Sequence, residues 1–143
     1  MSVHSREELA RLGRVARREF SRALMSDTKW RKLFAILADR GLALHQLRVK
    51  FIEVEDARTI DVPPAGAVDV PWPYIDTIEF GPAEFRAIEW LEVPAIARFP
   101  RPDKVPAQEV RQDIESVETA LAVSGLYPIE RSEAGLRIVG YRR

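Results

Sequence analysis

The sequence has no cysteine, and its only histidines are His4 and His45. The first absence removes disulfide scaffolds, thiol catalysis, zinc ribbons and iron–sulfur clusters together. It fits a reducing compartment. With two histidines and no thiol, a zinc site has too few ligands. A serine nucleophile also lacks a clear base, since His4 falls in an N-terminal tail and His45 at a strand start. The seven glycines are scattered and form no Gly-x-Gly, so no phosphate-cradling loop is legible. No apolar run nears the roughly 18 residues that a membrane span requires. Residues 1–6 show no apolar signal region. The expectation is a cytoplasmic protein with no cofactor, no metal and no membrane contact.

What is present is an ordinary globular composition: 143 residues, 46% hydrophobic and 31% charged. That length suits one domain, 1–143, with a core that needs no covalent staple. Residues 1–25, the first amphipathic helix, could be an element appended to it. The net charge of zero hides a segregation. Residues 1–50 carry +7, residues 51–93 carry −8 and residues 94–143 carry +1. Either the basic helices screen the acidic strands, or an acidic face meets a basic partner.

Periodicity predicts the elements. Ser5 and Glu8 have capping-box spacing, and an apolar stripe from Leu9 to Ala23 predicts a helix over 5–24. Ser26 or Asp27 caps a second helix carrying Trp30, Leu33, Phe34 and Leu37, with Gly41 as a left-handed C-terminal cap. Leu47, Val49 and Phe51 alternate with Arg48 and Lys50, predicting a strand to about Val54 with a bulge or twist near Phe51–Ile52. Proline excludes 61–73 from a central strand. Residues 74–80 and 85–93 read as a hairpin turning at 81–84. A third helix starts near Pro106 with the stripe Val110, Ile114, Val117 and Leu121, and ends at Gly125. Residues 126–131 and 136–141 close the chain as a hairpin. The class is α+β, in the order α-α-β-β-β-α-β-β, with a mainly antiparallel sheet packed by helices.

Three surfaces could carry function. The acidic middle hairpin would set Trp72 and Trp90 among Asp76, Glu79, Glu84, Glu89 and Glu92, forming a protein-binding patch if its aromatics are exposed. The strand phase there is in conflict, because Ile88 and Trp90 share one parity while Phe85, Leu91 and Val93 share the other. The arginine side of the first helix, Arg11, Arg14, Arg18 and Arg22, is the alternative, a nucleic-acid surface. Glu7, Glu8 and Glu19 interrupt it and no recognition motif accompanies it. Glu53 and Glu55, two apart on the predicted strand, are candidates for carboxylate acid/base chemistry in an enzyme of unrecognised type. Their bland reading is solvent-facing charge that discourages edge pairing. The charge polarity favours a binding role over an enzymatic one.

Three segments resemble an uncharacterised family of small bacterial proteins. They are Thr28-Lys29-Trp30-Arg31-Lys32-Leu33, Gly81-Pro82 leading to Ile88-Glu89-Trp90-Leu91, and Gly135-Leu136-Arg137-Ile138 followed by Gly140-Tyr141. The likeness spans about 26–143 and leaves the first helix as an addition. It implies no established enzymatic activity. In size and class such proteins are similar in outline to immunity proteins that neutralise toxins, which implies an inhibitory, protein-binding role. Oligomeric state is not legible.

Overall fold

A computed structural model describes residues 5–143. Helix α1 (Arg6–Glu19) begins as the capping box predicts, with the Ser5 side chain accepting the Glu8 amide. It ends five residues earlier than periodicity suggests. Phe20 turns inward against Tyr141, with ring centroids 5.3 Å apart. The amides of Ser21 and Leu24 donate to the Arg142 and Gly140 carbonyls. A two-residue strand, β1 (Arg22–Ala23), replaces the last helical turn. Helix α2 (Asp27–Leu37) is capped by Ser26, which accepts the Lys29 amide at 3.1 Å. Gly41 is not its left-handed cap. Asp39 caps a short 3₁₀ turn over Arg40–Leu42, and Ala43 takes the left-handed conformation, φ 51°.

Strand β2 (Leu47–Phe51) stops before Glu53, and β3 (Arg58–Ile60), which periodicity missed, pairs with it. Residues 61–73 stay irregular apart from a 3₁₀ turn over Ala65–Val68, as their prolines require. The hairpin β4 (Tyr74–Thr77) and β5 (Gly81–Glu84) corrects the predicted turn. The loop is Ile78–Phe80. Gly81 closes it at φ +68°, the conformation that a three-residue hairpin loop needs and a Cβ opposes. Pro82 then fits an edge strand that does not need its amide.

After a 3₁₀ turn over Phe85–Ala87 come β6 (Ile88–Pro94), β7 (Ile96–Phe99) and β8 (Gln108–Arg111). The predicted helix start at Pro106 is therefore wrong. Residues 108–111 pair with β7, and α3 (Ile114–Ser124) starts at its own cap, Asp113, which accepts the Ser116 amide. Gly125 ends α3. Then β9 (Ile129–Ser132), β10 (Gly135–Val139) and β11 (Tyr141–Arg142) finish the chain, the last pairing with β1.

The main sheet has the order β3-β2-β6-β10-β9, and all its pairs are antiparallel. The fold is α+β, with more and shorter strands than periodicity alone predicts. One sheet face carries Leu47, Val49, Leu91, Val93, Leu136 and Ile138 into a core with Trp30, Leu33 and Phe34 of α2 and Val117 and Leu121 of α3. Removing this much apolar surface from water is the chief favourable contribution to folding. Helix α1 covers a separate small cluster of Leu12, Val15, Phe20 and Ile52.

The conflict of strand phase resolves at a bulge. Lys50 faces Trp90 and Phe51 faces Ile88, so Glu89 is the extra residue, on β6 rather than β2. The slip lets Ile88 and Leu91 both enter the core while Trp90 emerges on the other face. Gly140 passes so close to this bulge that a Cβ there would lie 2.4 Å from the Ile88 carbonyl oxygen.

Candidate functional site

One face of the sheet carries the core, and a lattice of charge occupies the second. Arg48, Glu92, Arg137 and Glu130 stand directly opposite one another on four successive strands. Glu92 is 3% exposed and lies between Arg48 at 3.2 Å and Arg137 at 3.3 Å. Arg137 also stacks over Trp90, 3.7 Å from the ring centroid. Glu89 is held by Lys50 at 3.4 Å and Arg143 at 3.8 Å. Trp90, Glu89 and Glu92 thus share one surface, and each of these two acids has cations beside it.

A polar staple fastens the β7–β8 ribbon to this sheet. The Gln112 carbonyl oxygen accepts the His45 and Gln46 amides at 2.8 and 3.0 Å. Its amide nitrogen donates to the Gln46 and Pro94 carbonyls. Gln46 repeats the device on Arg98, donating to its carbonyl at 2.7 Å and accepting its amide at 3.0 Å. Two side-chain amides therefore act as peptide groups of a missing strand. Both are buried, where an unpaired amide is costly.

The β4–β5 hairpin is different. Trp72, 50% exposed, stacks on Tyr74 at 5.8 Å just before β4. The loop presents Ile78, 83% exposed, and Phe80, 41% exposed, whose ring meets Phe51 edge-on at 6.0 Å. Asp76 and Glu79 are exposed, as are Asp61 and Asp69 nearby in the chain. Glu79 accepts the Asp61 amide at 3.0 Å. Among the described residues no ion pair holds Asp76, Glu79 or Asp69. Glu84 is buried at the end of β5. The structure thus divides the acidic set. Trp72, Asp76, Glu79 and Glu84 belong to the hairpin, and Glu89, Trp90 and Glu92 belong to the sheet face.

The four arginines of the first helix do not form one stripe. Arg11 bonds Glu8 and, at 3.0 Å, Glu53. Hydrogen bonds to these two carboxylates raise the pKa of its guanidinium, and its bond to Glu8 lowers that carboxyl. Arg14 and Arg18 are exposed on α1, the latter 3.7 Å from Glu19. Arg22 lies beyond the helix in β1, opposite Arg142. Glu53 and Glu55 are not strand residues sharing a face, because β2 ends at Phe51 and both are exposed in the turn that follows. They line an open cleft of about 590 Å³ with Arg11, Arg18, Lys50 and Arg143. His45 is exposed and His4 lies outside the described residues. Among the described residues no three metal-ligating side chains gather, and no helix is long and apolar enough to cross a membrane.

Comparison with known families matches residues 12–143 to a family of unknown function. The chain belongs to DUF6678. No curated protein and no solved structure matches it. The DUF6678 match begins inside α1, so most of that helix belongs to the family unit, where the sequence resemblance began only at residue 26. The segments that carried the resemblance have structural roles. Trp30 and Leu33 are core, Gly140 permits the bulge, and the Tyr141 hydroxyl donates to the Arg86 carbonyl at 2.8 Å. Within the DUF6678 fold the loop Ile78–Phe80 is a surface feature that sequence alone does not show, because Gly81-Pro82 carries the turn signal itself. The left-handed glycine after three residues was the signal available.

Proposed function

We propose that this DUF6678 chain is a protein-recognition module whose β4–β5 hairpin engages a basic partner. The observation that carries this reading is a local excess of exposed apolar side chains. Of eight large hydrophobic residues exposed among the described ones, Val70, Trp72, Ile78 and Phe80 fall within eleven positions. Such concentration, rimmed by Asp61, Asp69, Asp76 and Glu79, is the pattern of a contact surface rather than of scattered surface apolars. The carboxylates give the surface its charge preference, so association is steered toward a cationic patch and weakens with salt. Inhibitor or immunity-type action is one form that such recognition takes.

The test is affinity capture from the native host with the wild type, Asp76→Lys and Trp72→Ala. The reading expects a partner that is basic at its contact surface, is lost in both variants and is released by salt. No captured protein, or one retained by both variants, overturns it.

A further inference from the structure

Arginines converge where β1 meets β11. Arg17 and Arg18 lie in the last turn of α1, and Arg22 follows in β1. The strand pairing sets Arg22 directly opposite Arg142. The Ser21 amide fixes this junction by donating to the Arg142 carbonyl at 2.8 Å. Arg143 completes the set, its guanidinium lying over the Phe20 ring, 4.7 Å from the centroid. It lines the same open cleft as Arg18. All five arginines are exposed. The carboxylates around them offset this charge only in part. Glu19 lies 3.7 Å from Arg18, Glu89 3.8 Å from Arg143 and Glu130 3.9 Å from Arg142. Glu53, also in the cleft, is taken up by Arg11. Among the described residues no acid pairs with Arg17 or Arg22. The helix dipole favours cations in a last turn, which accounts for Arg17 and Arg18. It does not account for Arg22 against Arg142, because like charges directly opposite on neighbouring strands repel. An anion seated between them relieves that repulsion.

We infer that this surface binds the phosphate backbone of a nucleic-acid duplex. The inference uses none of the hairpin residues and stands apart from the reading above. Guanidiniums carry forked N–H donors that match phosphate oxygens, and several held on one junction match a run of phosphates. A duplex is favoured over a single strand, which needs aromatic platforms for its bases. Over residues 6–23 and 141–143 the aromatics are Phe20 and Tyr141 alone. Phe20 is buried, and Tyr141 packs on it and donates its hydroxyl to the Arg86 carbonyl. A nucleic acid is favoured over a bilayer for a second reason. None of the large hydrophobic residues exposed among the described ones lies in α1, β1 or β11, so the surface has no apolar anchor for lipid. Phosphate contacts fix position without reading bases, so binding is independent of sequence. The chain as a whole is neutral, so attraction to a polyanion has to come from this local charge.

The test titrates the full chain into a short labelled DNA duplex of mixed sequence and follows fluorescence anisotropy. The matching RNA duplex, the single DNA strand and phosphatidylserine vesicles are run beside it. The inference predicts duplex binding at about 50 mM salt, with log Kd rising by about 3 to 4 for each tenfold increase in salt. Arg22→Gln combined with Arg142→Gln raises the Kd at least about tenfold and lowers that slope by about 2. Arg40→Gln combined with Arg101→Gln makes the same change of net charge at exposed arginines elsewhere, and shifts the Kd by less than about twofold. Should the first pair fail to fold, Arg22→Gln alone carries the test, with the slope lowered by about 1. Tighter binding of one duplex supports the inference and names DNA or RNA as the source of the phosphates. Absence of duplex binding at that salt overturns it. So do tighter binding of the single strand or the vesicles, equal weakening by the control pair, and a folded Arg22→Gln, Arg142→Gln chain that binds unchanged.

Discussion

Asp76 and Glu92 carry the same charge and stand in the same acidic stretch of the sequence, yet the fold uses them in opposite ways. Glu92 is sealed between Arg48 and Arg137 on the sheet. Asp76 stands in solvent on a hairpin with no cation beside it among the described residues. The sheet face balances Glu89 and Glu92 internally, and Asp76 on the hairpin is in no ion pair among the described residues. A charge that the fold already balances is structural. A charge left open beside exposed Ile78 and Phe80 is available to something else.

Four substitutions sharpen or break that contrast, taken from the largest effect downward. Gln112→Ala removes partners from one buried and one part-buried amide and from two carbonyls at once. It should cost about 4 kcal/mol in urea unfolding. A loss below about 1 kcal/mol would show that the ribbon does not depend on the staple. Gly140→Ala forces a Cβ into the Ile88 carbonyl and should cost about 3 kcal/mol by the same measurement. Trp72→Ser should leave stability within about 0.5 kcal/mol, because half of the indole is already exposed. A larger loss would make Trp72 part of the core and remove it from the recognition surface.

The smallest effect is on pH dependence. Hydrogen bonds from Ser116 hold the Asp113 carboxyl below the usual carboxylate range. A group depressed on folding stabilises the native state above its unfolded pKa, and that contribution is lost as pH falls through the folded value. Asp113→Asn should therefore flatten the acid limb of the stability–pH curve. An unchanged limb would mean that the cap carries no charge-dependent stability.

The sequence made the strongly periodic parts legible. Trp30, Leu33, Phe34 and Leu37 define the buried face of α2, and the alternation from Leu47 to Phe51 defines β2. The bulge expected near Phe51–Ile52 falls one step earlier, between Lys50 and Phe51, and its extra residue, Glu89, lies on the opposite strand. Strands β7 and β8 are hidden because they are only four residues each and are joined by a loop carrying Pro100, Pro102 and Pro106, which reads as irregular chain. Pro106 and Val110 then resembled a helix start. The partition of the acids is hidden for a different reason. Arg48 and Arg137 are 44 and 45 residues from Glu92, so local charge counting treated Glu92 as exposed negative charge. The apolar loop was misplaced because Gly81 and Pro82 carry turn signals whether they form a loop or follow one.

The most direct test applies one charge reversal at both sites. Glu92→Lys places a cation between two arginines on a buried position and should lose about 4 kcal/mol of unfolding free energy. Asp76→Lys, measured in the same denaturant and buffer, should change stability by no more than about 0.5 kcal/mol. Equal losses at the two sites, or a larger loss at Asp76, would contradict the division into balanced and open charge.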